Sequence, residues 1–199
     1  MSEDGNTSVL VEDCLARLAA GDKDAWDALM THAFNRLLRQ CERIIGQELS
    51  RPNPLVTANS VLAEAYRRLA TAMANSKVHP TTAREFFGLS ARNIRWQIKD
   101  MLRKPVEKGA DTRCLAGLAE GPGAATEVAD RETWGLFWEA VDSLPDAERE
   151  VFDLMYVHGF SQYEAADILG KTRNQVDGQW RKVKIALAKV CKHLQPFAG

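Results

Sequence analysis

Twelve residues, Ser161 to Thr172 (SQYEAADILGKT), restrict what this chain can fold into more than any other stretch. Ser161 is followed three residues later by Glu164. That pair is a capping box, in which each side chain satisfies a backbone N–H the first helical turn leaves open. The helix so opened runs from Gln162 to Leu169 and stops at Gly170, where a left-handed backbone favours glycine. Thr172 then caps a further helix at once. Two helices joined so tightly must cross steeply, and Ala166 supplies the small side chain that a close crossing needs. Val176 and Trp180 fall on the inward side of the second helix. Upstream, Leu144-Pro145 begins another helix with Asp146, Glu148 and Glu150 near its positive end. Val151, Phe152, Leu154 and Met155 give it an apolar face, and His158-Gly159 ends it.

With Val176 and Trp180 inside, the second helix presents Arg173, Asn174, Gln175, Asp177, Gly178, Gln179, Arg181, Lys182 and Lys184 outward, preceded by Lys171 and Thr172 in the turn. Asn and Gln pair bidentately with adenine edges and Arg with guanine, whereas Lys182 and Lys184 suit phosphates. The pattern is that of a helix-turn-helix whose second helix fits the major groove. A helical hairpin with a solvated charged face is the plainer reading of the same residues.

The rest of the chain is also helical in pattern. Leu10, Cys14, Leu15 and Leu18 recur at helical steps until Gly21-Asp22, and Asp22 then caps a long amphipathic helix to about Leu49, ended by Arg51-Pro52-Asn53-Pro54. A third helix is expected from about Thr57 to Ala74. A fourth, from about Thr82 to Arg103, turns Phe86, Phe87, Ile94 and Ile98 inward and projects Arg92, Arg95, Lys99 and Arg103 as a cationic side. Glycines, prolines and small residues break the period between Lys104 and Asp130, which predicts a linker, with helices resuming at Arg131. No strand pattern and no phosphate-binding glycine loop is found. The expected class is all-α: two small helical domains, 9–104 and 131–195, joined by a flexible linker over 105–130.

Composition narrows the function. At 199 residues and 45% hydrophobic content the chain can bury a core in each half. Apolar runs are short, and Met1 to Ser8 is polar, so neither a membrane span nor a secretory signal is expected and the cytoplasm is the expected compartment. Cys14, Cys41, Cys114 and Cys191 lie far apart, which predicts reduced thiols and neither metal nor cofactor. The net charge of −1 conceals a segregation. Acids dominate from Pro145 to Gly170, and bases (Lys171, Arg173, Arg181, Lys182, Lys184, Lys189, Lys192) dominate beyond it. No nucleophile–base arrangement or paired carboxylates stand out, so no enzymatic activity is expected; His32 and His158 read as structural or exposed.

These segments resemble a known family. The Leu144-Pro145 start, SQYEAADILG and TRNQVDGQWRKVKIAL are similar to region 4 of sigma-70 factors of the extracytoplasmic function (ECF) group, and Trp180 with RKVKIAL resembles a variant from planctomycete-like bacteria. LAAGDKDAWDALM, VLAEAYRRLA and FFGLSARNIRWQIKDMLRK look like the opening, the polymerase-binding helix and the promoter-reading helix of region 2. The resemblance implies an RNA polymerase sigma factor that directs transcription initiation. Its partners would be core polymerase, through the β′ clamp helices and the β flap, promoter DNA, and, as for many relatives, an anti-sigma protein. Glu64, Arg67 and Arg68 would face the β′ clamp. Arg92, Asn93, Arg95, Trp96, Lys99 and Arg103 would lie by the −10 element, and the helix after Thr172 would read the −35 element. Trp96 has two readings, a stacking platform for unpaired bases or a core aromatic. The chain departs from the family at Ser60 and Ala63, where an acid and Gln or His are usual, at Lys171, usually apolar, and at Asp177-Gly178, where cations are frequent. The rival readings are a helix-turn-helix repressor or activator acting as a dimer, a protein-only helical adaptor, and a small helical enzyme.

Overall fold

A computed structural model describes residues 7–48, 58–74, 79–103 and 123–190. Among them there is no strand. The elements are α1 (Thr7–Ala19), α2 (Asp24–Glu48), α3 (Ala58–Ala74), α4 (Ala83–Arg103), α5 (Gly123–Asp142), α6 (Asp146–Phe152), α7 (Gln162–Leu169) and α8 (Arg173–Val190). Between α6 and α7 the chain makes a wide π-helical turn, Asp153–Val157.

In the N-terminal half, α1 packs on α2, α2 on α3, and α3 on α4. The apolar stripes drive this: Leu29, Leu37 and Ile44 from α2, Leu62 and Leu69 from α3, and Phe86, Ile94 and Ile98 from α4 are all fully buried. Each such side chain contributes about 1.5–3 kcal/mol by leaving water. Asp22 opens α2 as expected, its carboxylate accepting from the Asp24 N–H at 3.0 Å. Arg17 donates to the same carboxylate and, with that hydrogen bond first among the causes, holds it below the usual range.

In the C-terminal half, α5, α6 and α7 all pack on α8. An aromatic cluster fills the centre: Trp134, Phe137 and Trp138 meet edge to face at 5.1 and 5.2 Å, and Phe152 stacks on Tyr156 at 4.9 Å. Such pairs add about 0.5–1.5 kcal/mol each beyond area burial. Helix α5 begins at Gly123, earlier than the Arg131 expected. The breakers Gly121, Pro122 and Gly123 precede Ala124, Ala125, Glu127 and Ala129, whose helix propensity carries the helix back to them. The rest of the expected linker, 104–122, lies outside the described residues.

The two halves share one hydrophobic core. Helix α4 packs on α5, α7 and the wide turn, and α1 touches α7. Phe87 of α4 meets His158 and Phe160 edge to face at 5.0 and 4.8 Å. His158 is buried, and its Nε2–H donates to the Phe87 carbonyl at 2.9 Å. The wide turn makes this possible. Its i to i+5 bond, from the His158 N–H to the Asp153 carbonyl (3.0 Å), inserts an extra residue per turn and swings Asp153 and His158 toward α4. Gly159 follows at φ +70°, a backbone open to glycine, in contact range of Gln40.

Candidate nucleic-acid interface

The α7–turn–α8 unit forms as the sequence expects. The Ser161 hydroxyl accepts from the Glu164 N–H at 3.3 Å, and the Glu164 carboxylate accepts from the Ser161 N–H at 2.7 Å. Gly170 takes φ +62°, letting the Lys171 N–H return to the Ala166 carbonyl at 2.9 Å. Thr172 then makes a second box that the sequence did not announce. Its hydroxyl accepts from the Gln175 N–H (3.3 Å), and the Gln175 Oε1 accepts from the Thr172 N–H (2.8 Å). Gln175 therefore presents its amide donors while its oxygen is committed to the cap.

Val176, Val183 and Leu187 are the buried side of α8, and Trp180 packs partly against the core. Arg173, Asn174, Gln175, Gly178, Arg181 and Lys182 are exposed, with Asp177, Gln179 and Lys184 half-buried. Several cations have partners already. Lys171 Nζ donates to Gln179 at 3.1 Å, Arg181 pairs with Asp177 at 2.8 Å, and Lys182 lies 3.7 Å from Glu148. Asp177, expected to face outward, is tied to Arg181 and to Gln162 (3.2 Å). Tyr163, exposed and in contact with Arg173, was not singled out from the sequence. Its only signal is its place on the first turn of α7.

On α4 the expected residues divide. Arg92 is exposed, and Asn93 donates to the Leu89 carbonyl at 2.9 Å, keeping its amide on its own helix. Trp96 is 45% exposed, which rejects the core-aromatic reading. Arg95 corrects the expectation outright: it does not project but is buried, because its face of α4 is the one that meets the wide turn. Its guanidinium pairs with the buried Asp153 carboxylate. Burial pushes that carboxyl up to about 6, against the pull of Arg95 and Arg149. Lys99 pairs with Asp142, and Arg84 makes a forked contact to Glu150 at 2.6–2.9 Å. The Arg103 side chain lies outside the described residues. Acids from the C-terminal half thus hold three cations of α4, and of these acids only Glu150 and Asp153 belong to the acidic run after Pro145.

On α3, Glu64 receives Arg67 (2.7 and 2.8 Å) and Arg68 (2.8 Å), whose hydrogen bonds hold its carboxyl down at about 2. Arg68 also lies over the Trp96 ring, 3.8 Å from its centroid. The three residues expected to serve docking are therefore one cluster, joined to Trp96.

Among the described residues no group of three His, Cys, Asp or Glu could hold a metal ion, and Cys14 and Cys41 are buried thiols. No described helix is long and apolar enough to cross a membrane. What the arrangement offers is a pre-shaped polar helix face.

Residues 134–191 match the family described as Sigma-70, region 4. The match runs from the C-terminal part of α5 through the end of α8, under a third of the chain. No curated protein matches the chain. The C-terminal segment is thus similar to a DNA-binding region of sigma factors, which supports a role in transcription.

Proposed function

We propose that the chain is an ECF-type sigma factor, of the planctomycete-like variant, that binds core RNA polymerase and selects promoters without catalysing a reaction. The single observation that carries this is the exposed α8 face, with Arg173, Asn174 and Gln175 at its start. It is held by two consecutive capping boxes in a segment similar to sigma-70 region 4. In this reading α8 enters the major groove of the −35 element, where side chains at the helix start reach base edges. Lys182 and Lys184 meet phosphates. Trp96, 45% exposed with Arg68 over its ring, is the platform for unpaired −10 bases, with Arg92 one helical turn before it. The cluster of Glu64, Arg67 and Arg68 is the contact to the β′ clamp, and the C-terminal unit contacts the β flap. An anti-sigma protein is the expected regulator and the cytoplasm the expected location.

Two units, 9–104 and 131–195, each bind modestly, and fixing both on one polymerase raises the effective concentration of the second contact. Spacing between the two elements then adds to base readout. For α4 to meet DNA, the phosphates must replace Asp142, Glu150 and Asp153 as partners of its cations, so the two halves separate on the polymerase.

The test is run-off transcription with purified core enzyme on the promoter upstream of the chain's own gene. The expected result is a specific start that needs both the chain and core, with co-elution of the two. A palindromic footprint made by the chain alone, with no start in the presence of core, would establish a dimeric regulator and overturn the reading.

A further inference from the structure

Arg173 opens α8, yet its guanidinium is not held by α8. Its Nε–H donates to the Gln162 Oε1 at 3.2 Å and a terminal N–H donates to the Tyr163 hydroxyl at 2.9 Å. The guanidinium carbon lies 4.6 Å from the centre of the Tyr163 ring. Both partners belong to the first turn of α7. Gln162 reaches further along α8 through its amide, which donates to Asp177 at 3.2 Å, and Asp177 in turn pairs with Arg181 at 2.8 Å. Two α7 side chains therefore set the positions of three polar side chains on the recognition face.

Core packing does not account for Tyr163. Its side chain is 66% exposed, and its polar end is spent on an arginine that is itself exposed. An arginine on an open helix face has many rotamers, and ordering it at the moment of binding costs affinity. An aromatic ring on one side and an amide oxygen at Nε remove most of those rotamers beforehand. Of the five guanidinium N–H groups, these two contacts leave donors on both terminal nitrogens, the end that pairs with the O6 and N7 of guanine.

Resting on the proposed function, we infer that Gln162 and Tyr163 are positioning residues for base recognition. They fix Arg173 as a preset fork for one guanine in the upstream promoter element, and they make the first helix of the motif part of the specificity determinant. Tyr163 acts through Arg173 and contributes little to sequence-independent affinity.

The experiment uses the full chain with core polymerase and a promoter library randomised across the upstream element. Base preference is read by sequencing the bound fraction for the wild type, Arg173→Ala, Tyr163→Phe and Tyr163→Ala. Arg173→Ala is expected to flatten preference at one position. Tyr163→Ala should weaken preference at that same position by about 5- to 10-fold, in line with partial loss of one bidentate contact. Tyr163→Phe, which keeps the ring and loses the hydroxyl, should fall between it and the wild type. Preferences elsewhere and the dependence on salt should not change. Thermal melts of the Tyr163→Phe protein, whose shape is conserved, keep the test valid should the alanine variant unfold. The inference is overturned if the Tyr163 variants leave base preference unchanged, alter it at a position other than that of Arg173, or weaken all sequences alike with a shallower salt slope. The last result would make Tyr163 a phosphate contact. A wild type that shows no upstream preference with core polymerase would instead remove the proposed function itself.

Discussion

Arg173 and Lys182 sit on one helix and should fail differently when removed. Arg173→Ala is expected to cost about 1–3 kcal/mol on sites carrying the preferred base and little on others, whereas Lys182→Ala should weaken all sequences and reduce the salt slope by about 1. A salt titration of binding on matched and mismatched promoters separates the two. Because Trp96 is 45% exposed and phenylalanine keeps a ring beneath Arg68, Trp96→Phe should leave the melting temperature nearly unchanged. Loss of base stacking should lower open-complex formation by about 1–3 kcal/mol for Trp96→Ala, read by permanganate reactivity of the −10 region. Asp153 couples stability to pH. Its carboxyl titrates at about 6 in the folded protein, above the ordinary value of 3.8, so the folded state holds a proton there that the unfolded chain has released. Its contribution to stability is complete below pH ~4 and is lost as pH rises through about 6. Relative to Asp153→Asn, which cannot release that proton, the wild type should lose stability across pH 4 to 6, as urea melts at several pH values would register. Arg95, Arg149 and Asp142 face the same carboxyl and should be left intact in that comparison.

Helices α7 and α8 depend on local devices, and their stability should answer to them. Ser161→Ala removes a hydrogen-bonded cap and should cost about 1 kcal/mol. Gly170→Ala forces a Cβ onto a backbone at φ +62° and should cost about 1–2 kcal/mol. Chemical denaturation of the full chain checks both. The locality of these devices is also why this part of the fold could be read from sequence: Ser161, Glu164, Gly170 and Thr172 act on residues at most a few positions away. The apolar stripes of α2, α3 and α4 were legible for the same reason, since periodicity is a property of one helix. The start of α5 was not, because glycines around 121–123 look like a continuing linker until the helix formers behind them are weighed. Neither was the wide turn at Asp153–Val157, which has no distinctive residue and exists through its contacts with α4. At the candidate site the exposed residues of α8 were identified from caps and burial pattern, but their mutual contacts were not. That Gln175 spends its oxygen on a cap, or that Arg173 rests on Tyr163, depends on side-chain geometry between helices. The burial of Arg95 is hidden from the sequence for a related reason. A cation at helical spacing among other cations looks solvated, and only the position of the C-terminal half reveals that its face is covered.

At the scale of the whole molecule, the cations of α4 meet the acids of α5, α6 and the wide turn. Burying Arg95 with Asp153 is weak evidence for stability in itself, since desolvation opposes the attraction, but removing one partner leaves a buried charge and costs about 3–5 kcal/mol. The outer pairs are different. Asp142 is 43% and Glu150 32% exposed, so Asp142→Asn with Glu150→Gln should preserve the fold while releasing Lys99 and Arg84. The double variant is expected to bind single-stranded promoter DNA several-fold more tightly than the wild type at low salt. Fluorescence anisotropy measures this, and equal affinities would mean that these acids do not compete with phosphate.

Arg68 shares one guanidinium between the carboxylate of Glu64 and the indole of Trp96, on two neighbouring helices. A charge placed over an indole alters its emission, so anything that draws Glu64 into another contact shifts Arg68 and changes the light from that ring. Subtracting the spectrum of the Trp96→Phe protein would isolate this signal from that of the other tryptophans. The chain thus carries its own optical gauge of events at α3, readable without an attached dye.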